Sequence, residues 1–198
     1  MGKYYAYFVP NGSLRGIADT WEECKKIVSG KPNAKYKGFK NMEDAEEWLS
    51  AGANYDFKKI QELGAYFDAG TGRGNGVEAS VTDEKGQSLL PEILPKNKIN
   101  KFGKYNLETD LTNNYGELLA CKFALEIALK KDIKKIFGDS RLVVNYWSKG
   151  FVKEENITRE TSNLIDEVIF LRNKFEKGGG AIIHIPGAEN PADLGFHK

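Results

Sequence analysis

The chain has 198 residues, of which 40% are hydrophobic, 12% aromatic and 29% charged, a composition that excludes a mainly disordered protein and allows one or two globular domains. No stretch approaches the roughly 20 apolar residues needed to span a bilayer, and the first residues lack a secretory signal pattern, so we expect a cytoplasmic protein without membrane contact. The 29 basic and 28 acidic residues leave a net charge of +1, so any binding of phosphate must depend on where the charges lie.

The first fifty residues predict a small domain with the element order ββαβα. Residues 3–9 and 14–18 are β-prone and separated by a turn sequence, which predicts a hairpin. Thr20-Trp21-Glu22-Glu23 is a capping box that starts a helix. Residues 34–39 predict a third strand, and Asn41 is placed to cap a second helix.

A break in the helical pattern separates this region from the rest of the chain. Ser50-Ala51-Gly52-Ala53-Asn54 is rich in small residues and ends the second helix. We therefore expect a first domain at residues 1–50, a linker at residues 51–61 and a second domain at residues 62–198. A short tether would keep both domains at high effective concentration for one substrate.

The second domain begins with strand patterns and continues with alternating helices and strands. Residues 65–70, 77–82 and 88–94 predict three strands joined by tight turns. The later elements are a helix at 112–131, a strand at 133–137, helices at 140–147 and 158–175, and a strand at 181–185. This order predicts an α/β (α+β) fold with a five-stranded mixed sheet flanked by helices.

Four acidic residues occupy similar places in these elements. Asp68 lies in the first strand, Glu117 in the first turns of the long helix, Asp139 directly after a strand, and Asp193 after Asn190-Pro191-Ala192. Each acid alone is equally well explained as a helix cap or turn residue. Together they could converge at one sheet edge, where a divalent cation would relieve their repulsion. Oxygen ligands without nearby histidine or cysteine favour magnesium or manganese over zinc.

The motifs around these acids resemble those of a known family, the type 1 ribonucleases H. Over residues 62–198 the resemblance rests on Tyr66-Phe67-Asp68-Ala69-Gly70, Asn113-Asn114-Tyr115-Gly116-Glu117, Gly138-Asp139-Ser140 and Glu189-Asn190-Pro191-Ala192-Asp193. Residues 4–49 resemble the hybrid-binding (caulimovirus viroplasmin-like) domain that precedes this nuclease. That resemblance rests on Tyr4-Tyr5-Ala6, Thr20-Trp21-Glu22-Glu23-Cys24 and Ala34-Lys35-Tyr36-Lys37-Gly38-Phe39.

The resemblance implies a reaction and a set of cofactors. The family cuts the RNA strand of RNA/DNA hybrids endonucleolytically and leaves 5′-phosphate and 3′-hydroxyl ends. Asp68, Glu117, Asp139 and Asp193 would be both catalytic residues and ligands of two Mg²⁺ or Mn²⁺ ions. The expected partners are RNA/DNA hybrid and, through the N-terminal domain, double-stranded RNA, and the chain is expected to be a monomer.

The resemblance also implies substrate contacts. Asn113, Asn114 and Glu117 match family positions that face RNA 2′-hydroxyls. Thr112 and Asn145 match a family pocket for a DNA phosphate, and Asn75 lies near a further contact position. In the N-terminal domain, Trp21 and Tyr36 match aromatic residues that pack on DNA sugars, and Lys37 matches a phosphate contact.

Three departures from the family pattern bear on function. Ala188 stands where many relatives carry a histidine that assists product release, so that role is vacant or falls to Glu189. The basic protrusion of some relatives is reduced to residues 149–153. The basic loop between the first two strands keeps only Arg15, which predicts weaker hybrid binding.

Two other functions remain open from the sequence. A binding protein of hybrids or double-stranded RNA with an idle nuclease site would need the same fold, although the intact acids argue against it. Another nuclease or transferase of this fold, resolvase-like or integrase-like, would prefer DNA.

Overall fold

Two units build the chain, Met1–Ile60 and Gln61–Lys198, and each has its own hydrophobic core. The computed structural model describes residues 3–10, 14–55, 61–71, 76–107, 111–153 and 157–193. Within these ranges, no helix combines the length and apolar character needed to cross a membrane.

The N-terminal unit has the predicted ββαβα order. Its elements are β1 (Tyr4–Val9), β2 (Leu14–Ala18), α1 (Trp21–Val28), β3 (Lys35–Phe39) and α2 (Met42–Ser50). The strands form an antiparallel sheet in the order β2-β1-β3, which leaves β3 at an edge. Both predicted caps are present: the Thr20 hydroxyl accepts from the Glu23 amide at 3.2 Å, and the Asn41 side chain accepts from the Asp44 amide at 2.8 Å.

Each face of this small sheet is covered by one helix. Cys24 and Val28 of α1 form a core with Ala18 on one side. Ala45 and Trp48 of α2 form a second core with Ala6 of β1 on the other. Two thin cores sharing one sheet give a domain of about 50 residues enough buried apolar surface to fold.

The residues directly after α2 belong to this unit. Ala53 is fully buried, and the Trp48 indole donates to the Asn54 carbonyl at 2.8 Å. The backbone turns through two left-handed residues, Gly52 at φ 76° and Ala53 at φ 51°. Sequence analysis assigned residues 51–61 to a linker, but the part up to Tyr55 packs on the first unit, while 56–60 lie outside the described residues.

The larger unit contains the predicted five-stranded mixed sheet, which is confirmed. Its elements are β4 (Ala65–Gly70), β5 (Glu78–Thr82), β6 (Tyr105–Asn106), α3 (Asn113–Lys131), β7 (Lys135–Gly138), α4 (Arg141–Asn145), α5 (Arg159–Lys177) and β8 (Ala181–His184). The strand order is β6-β5-β4-β7-β8. Strands β4, β5 and β6 are antiparallel, whereas β4, β7 and β8 run parallel.

One predicted strand is wrong. The apolar segment at 88–94 is not a strand, because Pro91 lies in a 3₁₀ turn at Leu90–Glu92 and Ser88 makes only a single bridge to Thr82. Proline cannot donate to a sheet ladder, so this segment leaves the sheet. The third strand is instead β6, two residues that pair with β5.

Helix α3 covers one face of the larger sheet, and α5 packs against α3. Phe67 and Val81 from the sheet and Leu118 from α3 are fully buried in their shared core. Gly116 allows the first turn of α3 to lie directly on the sheet, since a Cβ at that position would collide with Val77. This close approach brings the next residue, Glu117, next to Asp68 and Ala69 of β4.

The opposite face meets the end of the described chain. Tyr66 of β4 stacks on Phe137 of β7, with ring centroids 4.6 Å apart, and both pack with Ala192. A 3₁₀ turn at Gly187–Glu189 precedes Ala192. The last described residues are therefore held against the two central strands.

Candidate active site

Three carboxylates from distant parts of the larger unit converge. Asp68, Glu117 and Asp139 each offer an oxygen, and these oxygens lie within 4.8 Å of one another. Phe67 of β4 pairs with Gly138 of β7, so Asp68 and Asp139 both follow directly after paired positions on neighbouring strands. Glu117 joins them from the second turn of α3.

The cluster holds its acids in conditions that oppose ionisation. Burial raises the pKa of Glu117 to about 9, and the charges of Asp68 and Asp139 add to this, while the Ala69 amide acts in the opposite direction. Burial also raises the pKa of Asp139, opposed by hydrogen bonds from its own backbone and from Asn190. A bound divalent cation would offset the repulsion between these acids and favour their ionised forms.

The donor set fits a hard divalent cation. Among the described residues the ligand atoms that converge are all carboxylate oxygens, and oxygen ligands suit magnesium, manganese or calcium better than zinc. The Glu117 Oε2 atom is buried and has no hydrogen-bond partner within the described ranges. A buried carboxylate oxygen without a donor is costly unless a cation binds it.

Asn190 connects the end of the chain to the acids. Its amide donates to the Phe67 carbonyl at 2.9 Å and to the Asp139 carboxylate, and its Oδ1 accepts from the Ala192 amide at 3.1 Å. The residue is 5% exposed. Asn190 therefore fixes the position of Asp139 relative to β4.

Two further neighbours shape the surroundings of Asp139. The Nε2 atom of His184 lies 3.1 Å from the Asp139 carbonyl, which gives this histidine a structural contact in β8. Gly187 leaves room for the acid, because a Cβ there would lie 2.7 Å from Asp139 Oδ2. Neither Asn190 nor Gly187 was predicted as a site residue, although an Asn-Pro turn close to a predicted acid is a signal that could have drawn attention to them.

The fourth predicted acid lies at the rim. Asp193 is exposed and is not among the three converging carboxylates, but its charge contributes to raising the pKa of Asp139, which places it near the same end of the sheet. Its amide donates to the Asn190 carbonyl at 3.0 Å. Glu189, half-buried in the 3₁₀ turn, belongs to the same segment.

The predicted RNA-contact residues lie at the start of α3. Asn113 and Asn114 are exposed on its first turn, one turn before Glu117.

Of the two residues predicted to form a DNA-phosphate pocket, Thr112 caps this helix, its hydroxyl accepting from the Tyr115 amide at 3.2 Å. Asn145 is exposed at the end of α4, and Asn75 lies outside the described residues.

In the N-terminal unit, two of the three predicted contacts lie together. The rings of Trp21 and Tyr36 have centroids 5.3 Å apart, and Tyr36 is 45% exposed. Lys37 follows Tyr36 on β3 and so projects to the other face, where its ammonium lies 5.4 Å from the Phe39 ring centroid. A phosphate contact by Lys37 would have to be made around the sheet edge.

Comparison with known proteins gives matches for both units. Residues 3–49 match the family described as ribonuclease H1 N-terminal domain, and residues 93–188 match the family described as reverse transcriptase-like. The second match contains Glu117 and Asp139, whereas Asp68 and Asp193 lie outside it.

Two solved structures are similar to the chain. The ribonuclease H1 of the halophilic archaeon Halobacterium salinarum has 22% identity and a TM-score of 0.42, over 66% of this chain and 89% of that one. The N-terminal ribonuclease H domain of a Mycobacterium tuberculosis protein, solved as a fusion with maltose-binding protein, has the same identity and TM-score, over 66% and 91%. On the two family matches, the chain combines a ribonuclease H1 N-terminal domain with a ribonuclease H-like domain.

Proposed function

We propose that the larger unit is an endonuclease that hydrolyses the RNA strand of RNA/DNA hybrids with two bound Mg²⁺ or Mn²⁺ ions and leaves 5′-phosphate and 3′-hydroxyl ends. The observation that carries the proposal is the convergence of Asp68, Glu117 and Asp139, in which one buried Glu117 oxygen has no hydrogen-bond partner in the described part of the chain. When bound, divalent ions supply an activated water and stabilise the leaving oxygen of a phosphodiester.

The chain's own residues have distinct parts in this proposal. Asp68 lies on β4 and Asp139 directly follows the neighbouring parallel strand β7, so the pairing of these strands brings the two residues close together. Asn190, itself buried, orients Asp139 through a hydrogen bond to its carboxylate. Asp193, exposed at the rim, would complete the ligand set, and Glu189 is the residue nearest in sequence to the vacant histidine position.

Selection of RNA follows from the amides next to Glu117. A 2′-hydroxyl is both a donor and an acceptor, and asparagine side chains offer both functions. Asn113 and Asn114 are exposed at the N-terminus of a 19-residue helix, where the helix dipole also favours phosphate. A strand carrying 2′-hydroxyls would therefore be placed with its backbone beside the carboxylates.

For the N-terminal unit we propose binding of the hybrid through its aromatic pair, in which Tyr36 is exposed and Trp21 is half-buried. Trp21 and Tyr36 offer flat apolar surfaces of the kind that pack on sugars and bases. Binding by this unit would raise the local concentration of hybrid for the nuclease and compensate for the reduced protrusion at residues 149–153.

The test compares cleavage of a labelled hybrid by the parent, Asp139→Asn and a matched control. Asp132→Asn is the control, because Asp132 is exposed at the left-handed end of α3, where asparagine is well tolerated. We expect Asp139→Asn to lose more than about 100-fold in rate, since loss of an outer neighbour of a metal ligand alone costs about 10- to 100-fold. Asp132→Asn should cleave like the parent.

The substrate panel separates the competing functions. The parent should cut only the RNA strand of the hybrid and leave DNA duplex intact, with product ends mapped by 5′-phosphate-dependent ligation. Equal cleavage by Asp139→Asn and the parent would overturn the site. Binding of hybrid without cleavage would indicate a non-catalytic binding protein, and preferred cleavage of DNA would indicate a resolvase-like or integrase-like enzyme.

A further inference from the structure

The segment after α2 ends in a tyrosine that closes the free edge of the N-terminal sheet. The Tyr55 hydroxyl accepts from the Tyr36 amide at 3.0 Å and donates to the Tyr36 carbonyl at 3.2 Å. Strand β3 is an edge strand, so this amide and carbonyl would otherwise face solvent. One hydroxyl therefore satisfies both outward backbone groups of a single residue.

Tyr55 is itself anchored to the core of the unit. Its ring packs on Trp48, with centroids 5.6 Å apart, and Trp48 is 1% exposed. The Trp48 indole also bonds to the Asn54 carbonyl, next to Tyr55. The preceding Ala53 is buried in a left-handed conformation, which a residue with a Cβ keeps only where its surroundings hold it. The segment therefore has a defined place, and the hydroxyl is directed at β3.

The residue that Tyr55 holds carries the exposed aromatic surface. Tyr36 contacts Trp21, and Trp21 contacts Tyr5, with ring centroids 5.3 Å and 5.8 Å apart. Contacts thus run without interruption from the buried Trp48, through Tyr55 and the Tyr36 backbone, to the aromatic pair on the other face of the sheet. An aromatic surface that is already ordered loses less entropy when it binds.

We propose that Tyr55 is a positioning residue for nucleic-acid binding: its hydroxyl fixes the β3 edge at Tyr36 and so orders the Trp21–Tyr36 pair for contact with the sugar-phosphate backbone of a hybrid. This inference rests on the binding role proposed above for the N-terminal unit. Tyr55 acts through Tyr36 and takes no part in the hydrolytic step.

The experiment uses the full chain and the variant Tyr55→Phe, which removes the hydroxyl and keeps the ring against Trp48. Tyr4→Phe is the matched control, the same change at a tyrosine of the same unit that packs with the α2-side core. Affinity is measured with a labelled RNA/DNA hybrid in EDTA, and kcat and KM are measured with magnesium. Hydrogen exchange of the Tyr36 amide is followed by NMR without nucleic acid.

We expect Tyr55→Phe, which loses both hydrogen bonds between the hydroxyl and Tyr36, to raise Kd and KM by about three- to tenfold, with kcat and Tm unchanged. The Tyr36 amide should exchange slowly in the parent and in Tyr4→Phe but fast in Tyr55→Phe. Such a split between KM and kcat would not follow from a general loss of structure.

The possible failures can be told apart. Equal exchange of the Tyr36 amide in the parent and Tyr55→Phe overturns the inference, whatever the binding results. Unchanged Kd and KM in Tyr55→Phe, beside a parent that binds hybrid, also overturn the inference but leave the proposed function standing. A parent that neither binds nor cleaves hybrid overturns the proposed function, and the binding part of this inference with it.

Discussion

Replacing Glu117 by glutamine would remove an ionisable group from the carboxylate cluster while keeping the size of the side chain. Glu117 accepts from the Ala69 amide and shares a hydrogen bond with Asp68. The glutamine carbonyl can accept from the same amide, and its NH₂ group can donate to Asp68. The variant therefore isolates the effect of the ionisable group on stability.

The expected magnitude follows from the pKa of Glu117. Its ordinary value is 4.5, and burial beside other acids raises it to about 9 in the folded chain. Between these values the folded state binds more protons than the unfolded state, so the stability of the metal-free parent falls as pH rises through this window. Below it, both states are protonated and the penalty vanishes. At about 1.4 kcal/mol per pH unit, the penalty reaches about 3 kcal/mol at pH 7, or about 6–12 °C in Tm.

The assay is thermal unfolding of the parent and Glu117→Gln in EDTA across this pH range, with the transition of the larger unit followed by calorimetry. We expect the variant to melt above the parent at pH 7 and the two to converge near pH 4. Magnesium should raise the Tm of the parent and so narrow the difference in Tm between the parent and Glu117→Gln. The reason is that a bound cation stabilises the ionised Glu117, which the variant lacks. Glu126→Gln on the same helix is the control. Lys122 opposes the rise in the pKa of Glu126, so this substitution should change the Tm less than Glu117→Gln does.

Two outcomes would refute this reasoning. The first is a metal-free glutamine variant that is no more stable than the parent at pH 7. The second is a difference in Tm that stays constant down to pH 4, since packing rather than ionisation would then be its cause.

Three further predictions concern the surroundings of the cluster. Asn190→Ala should lower the free energy of unfolding by about 1–3 kcal/mol, because it removes the side-chain donor to the Phe67 carbonyl. It should also raise the magnesium concentration needed for half-maximal activity. Chemical denaturation tests the first effect, and a magnesium titration of hybrid cleavage tests the second. Gly187→Ala should reduce kcat with little change in Tm, because the added methyl group of this half-buried residue displaces the Asp139 carboxylate. Steady-state kinetics at saturating magnesium and a thermal melt test this, and an unchanged kcat would contradict it. Cys24 and Cys121 are both buried, and burial raises the pKa of Cys121 to about 12, so neither thiol should react with a thiol reagent in the native protein at pH 8, and both should react in denaturant.

Much of the fold could be predicted because its signals are local. The caps at Thr20, Asn41 and Thr112 begin helices where sequence analysis placed them, since a cap depends on residues three positions apart. The strand at 88–94 failed because an apolar run alone does not distinguish a strand from a turn, and Pro91 decided against the strand. Strand β6 was missed because two residues of a polar segment give no periodic pattern.

The candidate site, too, has some residues that the sequence could predict and others that it could not. Asp68, Glu117 and Asp139 could be brought together from the sequence, because strand ends and helix starts meet at one edge of such a sheet. The contact between Asn190 and Phe67 joins residues 123 positions apart and has no local signal. Tyr55 was likewise assigned to a linker, because its partner Tyr36 lies 19 positions earlier on an edge strand.

The long span between Asn190 and Phe67 bears on how the protein is made. Asp68, Glu117 and Asp139 lie on segments that leave the ribosome one after another, and the amide that orients Asp139 follows only at residue 190. A growing chain, or a fragment cut before residue 190, would hold three acids without the clamp that fixes their arrangement. The proposed cleavage of hybrids should therefore begin only after residue 190 has been synthesised.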